Sequence, residues 1–174
     1  MNPESILKGR MAESLVSEIL REAGNQVYKF GYESTLQNLT QVEKVFDRHS
    51  EIGEKIRAIP DLLIINKRGE PFFIEVKFRW HQDWHENDFK MLKRLDEFWR
   101  PIIIFVNCYE KPYFLVTKPP YYDKNKKLKG WPLEKADYLN ISPSIMKKYN
   151  ALVEKYLTPT LNSQKNSRSI KLSN

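Results

Sequence analysis

Apolar residues recur at three- and four-residue spacing near the N-terminus, where Ala12, Leu15, Val16, Ile19, Leu20 and Ala23 make one stripe of a helix. Asn2-Pro3 is a start signal for it, and Gly24 a natural C′ residue. Residues 26–32 alternate weakly and predict a first strand. Residues 34–56 are polar; Leu36, Leu39, Val42, Val45 and Phe46 give them a narrow apolar face, as expected of a mostly helical insertion. Two apolar runs follow, 61–65 and 72–78, separated by Asn66-Lys67-Arg68-Gly69, which has the chemistry of a hairpin turn. Both runs are apolar on both faces, which places the hairpin in the middle of a covered sheet. Residues 88–99 read as a helix with Phe89, Leu92, Leu95 and Trp99 on one side, closed by Pro101. Residues 102–108 and 113–118 predict two more strands. After Pro119-Pro120, residues 121–133 read as a loop and 142–157 as an amphipathic helix capped by Ser142-Pro143.

This order predicts an α/β fold, a mixed β-sheet sandwiched between helices. The expected organisation is a core over 1–118 interrupted by the insertion at 34–56, then a basic loop and helix over 119–157 packed on it. From Thr158 the chain is mainly Ser, Asn and Lys, which predicts a disordered tail over 158–174. At 174 residues and 41% hydrophobic, the chain is long enough for one proper core. Its longest apolar runs, 62–65 and 102–106, are far too short to cross a bilayer, so no membrane partner is expected. Residues 1–10 lack the apolar stretch of a secretory signal, and the single cysteine, Cys108, beside an apolar run, reads as a small core residue. A reducing, cytoplasmic location is the expectation.

Charge changes the picture. The formal net charge is +7, yet residues 1–117 hold 17 Lys/Arg against 18 Asp/Glu, and residues 118–174 hold 12 against 4. The basic excess lies wholly in the last third. A solvated lysine-rich tail would look like this, and so would a contact surface for a polyanion. Tyr121, Tyr122 and Trp131 among Lys124, Lys126, Lys127 and Lys129 have the stacking-plus-charge character of a nucleic-acid surface. Lys90, Lys93 and Arg94 give the helix at 88–99 a basic edge suited to phosphate. His81 and His85, four apart, lack the further ligands a zinc site needs and read as surface or packing residues.

The candidate chemistry lies on the hairpin. Side chains alternate along a strand, so Glu75 and Lys77 share one face while Ile74, Val76 and Phe78 take the other. Asp61 opens the partner strand, and paired strands lie about 5 Å apart, so Asp61 and Glu75 can approach. Two neighbouring carboxylates resist joint ionisation unless a cation lies between them. Mg²⁺ prefers oxygen ligands and accepts one or two carboxylates plus substrate phosphate. Asp61 and Glu75 meet that need, with the Val76 carbonyl as a third protein ligand and Mn²⁺ as an alternative ion. Such an ion polarises a phosphoryl oxygen and lowers the pKa of a bound water. Lys77 can orient that water and stabilise developing charge; burial beside a cation predicts a depressed pKa for it. A structural salt bridge would satisfy the Glu75–Lys77 pair equally.

Pro60-Asp61, a short hairpin and then Glu75-Val76-Lys77 resemble the PD-(D/E)XK nuclease superfamily, the restriction-endonuclease-like fold. Lys8-Gly9-Arg10-Met11-Ala12-Glu13, running into Leu20 and Gly24, resembles the first helix of archaeal Holliday-junction resolvases and their relatives. The resemblance covers about residues 8–118. It implies a mixed sheet of four or five strands flanked by helices, with Asp61, Glu75 and Glu13 at a Mg²⁺ site and Lys77 as the catalytic lysine. It further implies a metal-dependent endonuclease acting on DNA, with a homodimer as the expected assembly. From the residues alone, Glu13 also reads as a solvent-facing helix glutamate. Two other functional readings stand beside the enzyme: a catalytically silent nucleic-acid-binding or scaffold protein on the same fold, and a partner-binding subunit of a larger nuclease or mobile-element system.

Overall fold

The computed structural model describes residues 3–31, 47, 50–79, 86–125 and 127–159. Helix α1 (Pro3–Glu22) buries the predicted stripe, with Ala12, Val16, Ile19 and Leu20 wholly inaccessible. Gly24 stops it at φ +85, its N–H donating to the Arg21 carbonyl at 2.8 Å. Asn25 then locks the exit: its side-chain nitrogen donates to the Leu20 carbonyl at 3.0 Å and the Leu139 carbonyl at 2.8 Å.

Six strands follow, β1 (Gln26–Lys29), β2 (Leu62–Ile65), β3 (Pro71–Phe78), β4 (Ile102–Val106), β5 (Phe114–Thr117) and β6 (Trp131–Pro132). They lie in one mixed sheet in sequence order, and every pair is antiparallel except β3–β4, which is parallel. The short α2 (Glu51–Arg57) precedes β2, its N-cap Ser50 accepting from the Gly53 N–H at 3.0 Å. A parallel pair needs a crossover, and α3 (Glu86–Phe98) lies within the one from β3 to β4. The predicted β2–β3 hairpin forms with Leu62 opposite Ile74 and Ile65 opposite Pro71, and Gly69 takes φ +81 in its turn. The remainder of the predicted insertion at 34–50, apart from Asp47 and Ser50, lies outside the described residues, as do His81 and His85.

The sheet has a helix-covered core on each face. On one, Leu62, Ile64, Ile74, Val76, Ile104 and Val106 pack with α1 and with α4 (Pro143–Leu152). On the other, Ile103 and Phe105 pack with Leu92 and Leu95 of α3 and with Tyr121. Cys108 is fully buried, and burial pushes its thiol up to about 12. Three expectations change. Residues 121–133 are not a plain loop: Tyr122 bridges to Leu128, and Trp131–Pro132 adds a sixth strand to β5. Tyr121 is not a surface platform but 1% exposed, its hydroxyl donating to the Pro101 carbonyl at 2.7 Å. Thr158, expected in the disordered tail, is fastened: its hydroxyl donates to the Cys108 carbonyl at 2.6 Å, after α4 widens into a π-helical turn over Val153–Leu157. Residues 160–174 lie outside the described residues.

Candidate active site

The β1–β2–β3 meander loses its middle strand at one end. β2 begins at Leu62, while β3 continues past Ile74, the partner of Leu62, to Phe78. Asp61 fills the gap. Its carbonyl accepts from the N–H groups of Phe30 (2.9 Å) and Gly31 (3.0 Å), and its carboxylate Oδ2 accepts from the Val76 N–H at 2.7 Å. A side chain here takes over the ladder bond that a longer β2 would have made. The proline before Asp61 has no N–H to contribute to such a ladder, in keeping with a strand that starts after it.

Glu75 and Lys77 flank that bond on the face opposite Val76. Lys77 Nζ pairs with Glu75 Oε1 at 2.5 Å. The Glu75 side chain is 8% exposed and that of Lys77 34%, so the carboxylate is the more enclosed member of the pair. The wall beside them is aromatic. Phe73, two residues back on the same face, stacks on Phe30 with ring centres 5.2 Å apart, and Trp99 meets both edge-on at 5.4 and 5.8 Å. Trp99 Nε1 also donates to the Lys55 carbonyl at 3.1 Å, tying α2 to this wall.

These surroundings set the electrostatics. Burial pushes Glu75 up to about 7, with the charges of Asp61 and Glu13 adding to the rise and Lys77 opposing it. Burial likewise raises Asp61, against the pull of Lys77 and the Val76 hydrogen bond. Burial lowers the Lys77 pKa, but Glu75, Asp61 and Glu13 outweigh it and the net shift is upward. From the protein's own charges, then, three acidic neighbours hold the Lys77 proton on; the depression expected beside a cation concerns the loaded site. Glu13 is partly buried on α1, and its charge is felt by both Glu75 and Lys77.

Asp61, Glu75, Val76 and Lys77 are thus brought together, with Glu13 in electrostatic range. Among the described residues, no three His, Cys, Asp or Glu side chains form a group that could hold a metal ion. What remains are two carboxylates, oxygen donors of the class a hard cation takes, in the number Mg²⁺ accepts alongside water and phosphate. Oxygen donors of this kind are the class that Mg²⁺ and Mn²⁺ take.

The basic residues are dispersed. Lys90 pairs with Glu86 at 3.2 Å and Arg94 with Glu54 at 3.5 Å, so carboxylates already neutralise much of that edge of α3; Lys93 is exposed. Lys124, Lys127 and Lys129 are exposed on a small hairpin around Asp123, whose Oδ1 accepts from the N–H groups of Asn125 and Lys127 at 2.8 and 2.9 Å. Lys126 lies outside the described residues. Arg79 is a residue that sequence reasoning missed. It continues the Glu75–Lys77 alternation along β3 and pairs with Asp88 of α3 at 2.5 Å. That alternation, extended one residue past the predicted strand, was the signal for it.

Compared with protein-family models, curated proteins and solved structures, the chain matches none. No helix among the described residues is long and apolar enough to cross a membrane.

Proposed function

We propose that the protein is a divalent-cation-dependent nuclease with a restriction-endonuclease-like fold, and that Asp61, Glu75 and Lys77 carry its chemistry. One observation supports this most strongly. Asp61 and Glu75 both have Lys77 as the cation acting on them, and both are pushed above their ordinary pKa by burial. A structural ion pair matches one carboxylate to one ammonium; here two buried carboxylates share Lys77, and a hard divalent cation is the complement such a pair fits.

The bound cation would supply Lewis acidity toward a phosphoryl oxygen and acidify water. The Val76 N–H fixes one Asp61 oxygen, and burial keeps the Glu75 carboxylate from bulk water. Glu75 holds Lys77 Nζ in place. Lys77, held beside Glu75, is placed to orient the attacking water and to stabilise charge on the phosphate. The preference for DNA, and for internal cleavage by a homodimer, rests on the resemblance alone.

Incubation with labelled linear, circular and branched DNA in Mg²⁺, Mn²⁺ or EDTA tests the proposal. Cleavage is expected with either metal and not in EDTA, falling by about 10²–10⁴-fold in Lys77→Ala, the range typical of removing a catalytic group. Equal cleavage by wild type and variant would reject the assignment.

A second reading, nucleic-acid binding without turnover, is favoured by the Lys77–Glu75 contact, which satisfies both groups with no cation. It predicts binding in EDTA that is indifferent to Glu75→Ala.

A further inference from the structure

The face of the sheet that carries Glu75 and Lys77 does not end there. Lys77 is the register partner of Phe105 on β4, and Phe105 the partner of Leu115 on β5. Over this neighbouring ground lies a cavity of about 260 Å³. Phe105, Leu115 and Leu128 line it, together with Lys127 and with Arg79, which is paired with Asp88. Asn107 lines it too; its Oδ1 accepts from the Tyr109 N–H at 2.9 Å, leaving the amide nitrogen as the polar group it offers.

The cavity is smaller than the roughly 300–1,000 Å³ of sites for drug-sized ligands. Among the described residues its lining is chiefly apolar and includes an aromatic ring, and its charged side chains are Lys127 and Arg79, the latter paired with Asp88. A planar heterocycle attached to a phosphate matches these properties: ring on ring and leucine, phosphate on the exposed Lys127, with Arg79 held nearby by its pair with Asp88. Such a group is a single nucleotide. Strands lie about 5 Å apart, so a base seated over Phe105 lies within one strand spacing of Lys77.

We infer that this cavity receives one base of the substrate strand, turned out of its stack, beside the phosphate that meets Lys77. The inference rests on reading this face as a nucleic-acid site and adds the substrate class: single strands, frayed ends or flaps, in which a base is already free to turn. An intact blunt duplex must first spend unpairing energy to fill the cavity.

Binding measured in EDTA keeps the test independent of cleavage. The probes are a short single-stranded oligonucleotide carrying a fluorescent adenine analogue and a blunt duplex of the same sequence. Wild type should bind the single strand more tightly and quench the analogue. Leu128→Trp, which fills the cavity, should weaken single-strand binding by about tenfold, within the range expected when one base no longer stacks, and change duplex binding less than about twofold. Thermal unfolding reports whether the variant folds; Leu115→Phe takes its place if it does not. Single-strand affinity unchanged in a folded, cavity-filled variant overturns the inference and leaves the nuclease reading standing. Binding of neither probe in EDTA overturns the inference alone, since the nuclease reading is tested by cleavage in Mg²⁺ or Mn²⁺.

Discussion

Asp61 tests the site at its smallest scale, because it does two separable things. Its Oδ2 satisfies the Val76 N–H at 2.7 Å, and its charge contributes to the acidic excess. Asp61→Asn keeps an acceptor and removes the charge; Asp61→Ala removes both and orphans the N–H, at a cost of about 1–3 kcal/mol. Denaturant unfolding is therefore expected to rank Ala well below Asn, while both variants lose cation-dependent cleavage. Glu75 gives a pH dependence. Its folded pKa of about 7 lies above the ordinary 4.5, so between those values the folded state holds more protons than the unfolded chain. Stability should then fall as pH rises through that window, by on the order of 3 kcal/mol, and Glu75→Gln should flatten the profile. Urea midpoints at about pH 5 and about pH 8 measure this. The pairing of Glu75 with Lys77 on one face was readable from alternation alone. The Asp61–Val76 bond was not, since it depends on where β2 stops, and strand ends are not written in hydropathy. Nor was the upward shift of Lys77, which follows from how many carboxylates face it.

Among the elements, the turn out of α1 has the most specific requirements. Gly24 holds φ +85, and an added Cβ would also collide with Lys67 Cε. The lysine end can move aside, but the backbone cannot, so Gly24→Ala should cost about 1–2 kcal/mol in unfolding free energy. The destabilisation should appear as a lower urea midpoint with an unchanged slope. Helix α1, the β2–β3 hairpin and α4 were legible because each carries its own punctuation: Gly24, Gly69 and Ser142-Pro143. Strand β6 was not. Trp131–Pro132 is two residues long, and no period exists over two residues; it is held by pairing with Leu115 and Val116. Tyr121 misled for a related reason. It stands just ahead of a lysine-rich run in sequence, yet it turns inward because the Pro101 carbonyl accepts its hydroxyl and the α3 side of the core takes its ring.

At the scale of the molecule, charge and chemistry are segregated. The acidic site sits on β3 and just ahead of β2, whereas the basic excess follows residue 117, where Lys124, Lys127 and Lys129 stand exposed on the hairpin beside the cavity. This arrangement suits a substrate whose backbone is gripped by one region and cut at another. Nucleic-acid affinity should fall with salt, and replacing these three lysines with alanine should flatten the log–log slope by roughly 0.7–0.9 for each phosphate no longer neutralised. The mixed sheet with helices on both faces was within reach of the sequence; the closing of two separate cores by residues after Pro120 was not, because no local pattern says which face of the sheet a distant segment will cover. The claim on which the functional account turns is that the acid-rich site is completed by a divalent cation. Calorimetric titration of the protein with Mn²⁺, without nucleic acid, tests it most directly. The account predicts one binding event that releases protons near neutral pH, weakens in acid and disappears in Glu75→Gln; Mn²⁺ binding that is absent from the wild type, or identical in the variant, would contradict it.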